Sequence, residues 1–219
     1  MINKTSNKIN NLEYETSLWE KNITLIVGVD EVGRGCLAGD VIACSVILEN
    51  NPQKISKLLG VTDSKKLTEA KREYFFEIIK ENVLDYSLGI VSEKIIDQIN
   101  ILQATFKAMR ESINGLKNIP QHILVDGDKK IPNLEIPQTT IIKGDFHSLS
   151  ISCASIIAKV TRDRSISKMA EIYPEYGFQK HKGYATKDHI EAIKKHGLTD
   201  IHRKTFCKNF FVEQMNFNF

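Results

Sequence analysis

Acidic residues follow three apolar runs that each predict a buried β-strand, at 23–29, 123–125 and 139–142. These residues are Asp30, Glu31, Asp126 and Asp145. Because ligand sites in α/β sheets form beyond strand ends, we expect the four carboxylates to meet at one edge of a sheet. Their mutual repulsion requires cations to offset it, and hard oxygen ligands select Mg²⁺ or Mn²⁺ rather than zinc. The spacing therefore predicts a divalent-metal site.

A carboxylate site of this kind favours one chemistry. Two divalent ions about 3.5–4 Å apart can activate a water, hold a phosphate and stabilise the leaving oxygen of an in-line displacement. Phosphodiester hydrolysis is therefore the predicted reaction. A turn-forming role is the usual alternative for one Asp beside a Gly, and it explains four such positions less well. Asp30 and Glu31 are neighbours in a strand, so they can serve one site only where the glycine-rich loop after them breaks the pleat.

The elements that must position these acids are predicted from apolar periodicity. The run at 41–48 predicts a second strand, paired with the first as an antiparallel hairpin through the glycine-rich loop 33–39. Thr68 predicts a helix N-cap, and 86–91 predicts a third strand. Apolar residues that step by four and three between 95 and 116 predict one long core helix.

The C-terminal part of the chain is predicted to be helical. One helix is expected at 154–172 and another at 186–196, where Thr186 caps the start and Gly197 follows the end. The order of elements predicts an α/β fold, a mixed β-sheet flanked by helices with a small helical C-terminal extension. We divide the chain by sequence into an N-terminal arm, a catalytic domain and a substrate-binding extension: 1–22, 23–175 and 176–219.

The composition is that of an ordinary globular protein. Hydrophobic residues make up 42% of the chain and charged residues 26%, which excludes a disordered or fibrous class. Residues 151–219 hold 12 Lys and Arg against 7 Asp and Glu, a basic balance that attracts polyphosphates but is also typical of solvated helix faces. The four cysteines lack metal-binding spacing and predict buried thiols. With no signal peptide and no apolar run of about 20 residues, we expect a cytoplasmic protein that does not contact membranes.

The residues around Asp30 also carry a family resemblance. Residues 28–35 read GVDEVGRG, which resembles the opening signature of ribonuclease HII. Further motifs that resemble the family follow in order: DSKKL at 63–67, NILQAT at 100–105, VDG at 125–127, KGD at 143–145, ASIIAKVTRD at 154–163, HKGY at 181–184 and IHR at 201–203. Several independent motifs at compatible spacing make a chance match an inadequate explanation.

The resemblance implies a ribonuclease H-like fold and a metal-dependent endonuclease. Its expected substrates are RNA/DNA hybrid duplexes, cut in the RNA strand, and DNA containing ribonucleotides, cut on the 5′ side of the ribonucleotide. The products would carry 3′-hydroxyl and 5′-phosphate ends. Carried over by position, Asp30, Glu31, Asp126 and Asp145 would be the catalytic acids and the ligands of Mn²⁺ or Mg²⁺. We expect a monomer.

The resemblance also assigns substrate contacts. Gly33, Arg34 and Gly35 match the family's ribose-sensing loop, where glycine allows close approach to the 2′-hydroxyl. Tyr184 matches a tyrosine that stacks near the ribonucleotide junction, although simple packing is the alternative for a lone Tyr. The expected phosphate contacts are Lys65, Lys66, Lys159, Arg162 and Arg164, which the sequence places on outward helix or loop faces. Solvated surface charge is the alternative for each of them.

Two positions depart from the family's pattern. Cys36 and Asp40 stand where the family usually has proline, so we expect a looser loop after the signature. Arg34 and the short N-terminal arm differ from ribonuclease HIII, which usually has lysine in the loop and a longer N-terminal domain.

Two other functions compete with a nuclease. Gly33, Gly35 and Gly39 approximate a dinucleotide-binding loop, but that motif requires a helix next, whereas 41–48 predicts a strand. A non-catalytic nucleic-acid-binding module fits the basic C-terminal third and leaves the four acids unexplained.

Overall fold

A computed structural model describes residues 11–210 and contains a mixed five-stranded sheet with helices. In chain order the strands are β1 Ile26–Val32, β2 Val41–Ile47, β3 Asp85–Val91, β4 His122–Asp126 and β5 Gln138–Ile141. Their order across the sheet is β3-β2-β1-β4-β5. Every strand lies where an apolar run predicts one, so the α/β prediction is confirmed.

Strand β1 lies beside β4, and the two run parallel with Val29 opposite Val125. β4 in turn pairs in parallel with β5. The prediction for β1 is wrong at its ends, because the strand begins at Ile26 and continues through both acids to Val32. The end of a strand depends on pairing with neighbouring strands, and local sequence propensity carries no information about that pairing.

The helices of the described residues are α1 Glu13–Trp19, α2 Pro52–Lys57, α3 Glu69–Asn82, α4 Glu93–Ile99, α5 Ile101–Asn114, α6 Gly144–His147, α7 Leu149–Ile172, α8 Phe178–His181, α9 Lys187–His196 and α10 Lys204–Cys207. Two predicted N-caps are confirmed. The Thr68 hydroxyl accepts from the Lys71 N–H and the Thr186 hydroxyl from the His189 N–H, each at 3.3 Å. Gly197 follows α9 with φ +84°, as predicted.

The single long helix predicted over 95–116 is wrong. Helix α4 ends at Ile99, α5 begins at Ile101, and Asn100 between them has φ +66°. The Asn100 side-chain oxygen accepts from the N–H groups of Leu102 and Gln103 at 3.0 and 3.2 Å. Asparagine tolerates this conformation and caps helices well. The apolar periodicity runs on across the break and so conceals it.

The described chain forms two compact units, each discontinuous in sequence. The first contains 11–30, 45–86 and 116–156, and the second contains 31–44, 87–115 and 157–210. The core of the first unit includes Ile26, Leu124, Ile141 and Ile151, and that of the second includes Leu37, Ile166, Tyr176, Phe178 and Ile193. The division at 22 and 175 stays a prediction.

Two further expectations concern the whole described chain. All four cysteines are buried and free, as predicted. Across residues 11–210 the helices are too short or too polar for any one of them to span a membrane.

Candidate active site

Asp30 and Asp126 come together because their strands are paired. Each follows the matched pair Val29 and Val125 by one residue on parallel strands, so the two carboxylates are neighbours at the carboxyl ends of β1 and β4. Asp30 is buried, with 6% of its surface exposed. The predicted meeting of strand-end acids is confirmed for this pair.

Asp145 reaches the same edge from a short helix and not from a strand end. It lies in α6, directly after Gly144, whose N–H donates to the Asp126 Oδ1 at 2.7 Å. A Cβ at position 144 would lie 2.7 Å from Ile151 Cδ1 and 3.2 Å from Asp126 Oδ1, so glycine permits this approach. The KGD motif therefore links two of the predicted acids through its backbone.

The electrostatics show that these acids act on one another. The pKa of Asp145 is raised from 3.8 to about 6, mainly by burial and then by the negative charges of Asp126 and Asp63. Burial lowers the pKa of Lys65, but the attraction of Asp30, Asp145, Asp63 and Asp126 outweighs it and the net shift is upward. The first unit thus contains a concentrated negative charge with Lys65 as a cationic neighbour.

The donor set fits a hard divalent cation. The acidic groups at this edge are all carboxylates. Burial is the largest cause of the raised pKa of Asp145, and the negative charges of Asp126 and Asp63, which a cation would offset, add to it. Among residues 11–210, no three His, Cys, Asp or Glu side chains stand ready-made as a ligand group. The Asp126 Oδ1 accepts from the Gly144 N–H.

Asp63 belongs to the same charge cluster, and the sequence analysis did not single it out. Its Oδ1 accepts from the Lys65 N–H at 2.9 Å, and it hydrogen-bonds with Asp145. Asp63 is the first residue of the DSKKL motif. That motif was interpreted only through its two lysines, as phosphate contacts.

Glu31 follows Asp30 in the chain and belongs to the second unit. Its carboxylate lies 3.2 Å from Arg34 Nη1, and the side chains of Glu31 and Arg34 are 12% and 51% exposed. The Arg34 guanidinium therefore stands largely in solvent while it neutralises the glutamate.

Two buried arginines hold the loop 33–40. Arg162 Nε, Nη1 and Nη2 donate to the carbonyls of Asp40, Lys182 and Ala38 at 2.9–3.0 Å. Arg203 donates to the carbonyls of Arg34, Gly39 and Asp40 at 2.7–3.1 Å. These bonds anchor the loop to α7 and to Arg203, and a looser loop in the absence of the two prolines stays a prediction.

The prediction that Arg162 lies on an outward face is therefore wrong. The residue is 1% exposed, and its guanidinium forms hydrogen bonds with backbone carbonyls inside the second unit. The helical periodicity placed it beside truly exposed Arg164, but a glycine loop packed over this part of α7 covers it. A Cβ at Gly33, which has φ +94°, would lie 2.4 Å from Arg162 Nε.

Gly35 differs from Gly33 in what surrounds it. Its φ is ordinary, and a Cβ there would meet no atom of the described residues within 4 Å. Packing within the protein therefore explains the glycine at 33 and not the glycine at 35.

Tyr184 lies next to this loop. It forms an isolated antiparallel bridge with Cys36, and the residue is 39% exposed. Lys159 Nζ lies 5.7 Å from the ring centroid and 2.7 Å from an Asp163 oxygen. The second unit thus gathers three predicted substrate features, namely the glycine loop, Tyr184 and Lys159. In the first unit, Lys66 Nζ stacks 4.3 Å over the Phe146 ring.

Comparisons with known proteins show which family and fold this chain resembles. The family model for ribonuclease HII matches residues 27–210. The ribonuclease HII of Clostridioides difficile (strain 630) is 52% identical over 196 residues, which are 90% of this chain and 75% of that protein. The crystal structure of ribonuclease H2 from Pyrococcus horikoshii OT3 is similar with a TM-score of 0.72 at 30% identity, covering 88% of this chain and 99% of that one. The structure of Bst-RNase HIII in complex with Mn²⁺ shares the fold, with a TM-score of 0.60 at 15% identity over 84% of this chain and 65% of that one.

Proposed function

The chain belongs to the ribonuclease HII family, and on that premise we propose which of its residues carry out the reaction and on which substrates. As a member it is a metal-dependent endonuclease that hydrolyses the RNA strand of RNA/DNA hybrids. We propose that Asp30, Glu31, Asp126 and Asp145 hold two Mg²⁺ or Mn²⁺ ions. We propose further that the enzyme cuts on the 5′ side of a ribonucleotide embedded in DNA, as a cytoplasmic monomer.

The observation that carries the assignment of the acids is their convergence at the carboxyl ends of β1 and β4. Asp30 and Asp126 are brought there by strand register, and Asp145 by the Gly144 N–H bond to Asp126. Glu31 joins the proposal as the residue that follows Asp30. The bound ions would supply an acidified water and charge neutralisation of the transferred phosphate. We propose that Lys65, whose pKa is raised by the charges of these acids, contacts a phosphate oxygen beside them.

Recognition of the ribose is proposed for the loop of the second unit. Arg162 and Arg203 donate to carbonyls of this loop from inside the protein, which supports a loop that is held in place when the substrate binds. Gly35 faces open space, which supports close approach of a ligand there. The 2′-hydroxyl is the group that distinguishes RNA from DNA at a single position, so backbone contacts from this loop would read it.

Metal-dependent cleavage of a duplex with one embedded ribonucleotide tests the assignment. We expect cleavage 5′ of that residue with Mg²⁺ or Mn²⁺, none with chelator and none of the all-DNA duplex. Asp126→Asn should lower the rate by roughly a hundredfold or more. Asp128→Asn, an exposed change two residues away, is the control and should cleave normally. Binding without metal-dependent cleavage would favour the non-catalytic module instead.

A second experiment separates ribose recognition from catalysis. Because Gly35 has no close protein neighbour, Gly35→Ala should fold with an unchanged melting temperature and still lose cleavage of the embedded ribonucleotide. Gly33→Ala should lower the melting temperature, since its Cβ would meet Arg162. Full activity of Gly35→Ala on the embedded ribonucleotide would refute the proposed reading of the loop.

A further inference from the structure

Three histidine rings surround the backbone that carries Tyr184, and neither the sequence analysis nor the proposed function uses them. His189 and His202 are 0% and 1% exposed. His189 lies on α9, His202 lies just before α10, and His181 ends α8, so three separate segments of the second unit contribute one ring each.

The hydrogen bonds fix the tautomer of His189. Its Nδ1 lies 2.9 Å from the Tyr184 carbonyl oxygen. A carbonyl only accepts, so Nδ1 carries the proton, and in a neutral ring Nε2 is then an acceptor.

His202 has the opposite tautomer. Its Nδ1 lies 2.9 Å from the Thr199 N–H, which only donates, so Nδ1 is unprotonated and Nε2 carries the proton. The Nε2 atoms of His202 and His189 are 3.0 Å apart. His202 therefore donates to His189, and each ring supplies the proton or lone pair that the other lacks.

Both rings are held neutral. Burial lowers the pKa of His189 to about 4 and that of His202 to about 4. Protonation of His189 would set two N–H groups against each other across 3.0 Å, and protonation of His202 would set its Nδ1–H against the Thr199 N–H across 2.9 Å, so each charged form loses one of these hydrogen bonds.

His181 holds the same segment from the other side. Its Nε2 donates to the Tyr176 carbonyl at 2.7 Å, and its Nδ1 accepts from the Gly183 N–H at 3.2 Å. Its ring stacks on His189, with centroids 4.3 Å apart and an interplanar angle of 15°. Because the Gly183 carbonyl accepts from the Leu37 N–H at 2.8 Å, the histidines tie Tyr184 to the glycine loop.

We propose that His181, His189 and His202 are positioning residues that set Tyr184 for contact with the ribonucleotide through a chain of neutral, complementary tautomers. The inference rests on the proposed function, which makes Tyr184 a substrate contact. It predicts that the histidines affect substrate choice only through Tyr184.

The test compares three variants on two substrates, a duplex with one embedded ribonucleotide and a long RNA/DNA hybrid. His189→Leu should lower kcat/KM for the embedded ribonucleotide by roughly ten- to a hundredfold relative to the hybrid, as expected for a misplaced contact. His189→Asn should retain most of the ratio, since its Nδ2–H can still donate to the Tyr184 carbonyl. His196→Asn, an exposed change on the same helix, should keep the wild-type ratio.

A double-mutant comparison distinguishes positioning from general stability. In a Tyr184→Ala background, His189→Leu should cause no further change in the ratio, whereas independent damage would add to it. If His189→Leu does not fold, His202→Leu removes the same bond from the other ring. ¹⁵N NMR of the wild-type protein at neutral pH should show His189 protonated at Nδ1 and His202 at Nε2.

Three results would overturn the inference: an unchanged ratio in the folded leucine variants, an equal loss in the Tyr184→Ala background, or charged or reversed tautomers. Its failure is separable from that of the proposed function. A wild-type enzyme that ignores the embedded ribonucleotide would refute the proposed substrate, and the tautomers would still decide whether the histidine chain exists.

Discussion

At the scale of single residues, burial decides what a charged side chain can do. Arg162 and Arg203 are 1% and 0% exposed, and their guanidinium groups donate to backbone carbonyls of one loop. Burial lowers the pKa of Arg203 to about 10, so it stays protonated at neutral pH. Charge-assisted bonds of this kind are stronger than neutral ones and specify geometry. Both arginines therefore support the loop 33–40 from inside.

Asp145→Asn should raise the melting temperature of the metal-free protein at pH 7.5. The pKa of Asp145 is raised from 3.8 to about 6 by burial and by Asp126 and Asp63, so its ionised form destabilises the folded state above pH 6. The cost is complete above pH 6 and decreases as the pH falls from 6 toward 3.8, because the folded carboxyl takes up its proton before the unfolded one does. Thermal unfolding with chelator at pH 7.5 and 4.5 measures both values. An equal difference at the two pH values would contradict this account.

At the scale of elements, α7 presents different chemistry on its different faces. Arg162 points into the second unit, Lys159 pairs with Asp163 at 2.7 Å, and Arg164 is exposed. Helical spacing alone grouped them as one basic face. In the structure, Arg162 is a buried hydrogen-bond donor to the loop 33–40, Lys159 is paired with Asp163, and Arg164 is an exposed cation.

Arg164→Ala should therefore weaken hybrid binding and reduce the dependence of log K on log salt concentration by roughly one unit, the amount for one lost phosphate contact. Arg162→Ala should act differently, by lowering the free energy of unfolding, because three carbonyls lose a buried donor. Binding isotherms from low to high salt and urea unfolding distinguish the two. If Arg164→Ala leaves the salt slope unchanged, Arg164 is only a solvated surface charge.

Helix α1 is attached to the first unit by a buried carboxylate. Glu15 is fully buried, and its Oε1 accepts from the hydroxyls of Ser148 and Ser150 at 2.6 Å and from the Ser150 N–H at 2.9 Å. Ser148 directly precedes α7 and Ser150 lies in its first turn, shortly after Asp145. The helix therefore packs against the segment that follows a proposed metal ligand.

Glu15→Ala should lower the free energy of unfolding by about 1–3 kcal/mol, because it leaves the buried serine donors without an acceptor. Glu13→Ala removes an exposed carboxylate of the same helix and is the matched control, with little expected change. Urea unfolding of the three proteins compares them. Equal stability of the Glu13 and Glu15 variants would show that the buried bonds contribute nothing.

At the scale of the whole molecule, titratable groups with opposite shifts shape the response to acid. Asp145 favours the folded state as the pH falls. His189 and His202 oppose it, since their pKa values are lowered from 6.5 to about 4 and the folded protein cannot take up protons that the unfolded chain accepts. The contribution of these rings to the free energy of unfolding is fully present above pH 6.5 and is lost as the pH falls toward 4.

The His202→Leu variant should lose less stability than wild type between pH 6.5 and 4.5. One proton-accepting group is removed from the unfolded chain, which reduces the slope by up to about 1.4 kcal/mol per pH unit. The free energy of unfolding in urea at pH 7, 5.5 and 4.5 provides the measurement. Parallel curves for variant and wild type would mean that His202 is protonated in the folded protein.

The sequence by itself determined the α/β class, the approximate positions of the five strands, and the positions of Asp30 and Asp126 after buried apolar runs. Apolar runs and caps such as Thr68 are local signals, and an acid after a buried strand is readable without the fold. The local KGD motif also identified Asp145, but it did not predict the short helix α6 in which Asp145 lies. The sheet order, the break at Asn100 and the end of β1 depend on neighbours far away in the sequence.

Only the tertiary structure decided which charged and polar groups are buried. Helical periodicity placed Arg162 outside, and only the loop packed over α7 shows that it lies inside. The link between Gly144 and Asp126 and the pairing of His189 with His202 join segments 18 and 13 residues apart. A hydrogen bond depends on the position of two atoms in space, and a sequence specifies the residue types but leaves those positions to the packing of the whole chain.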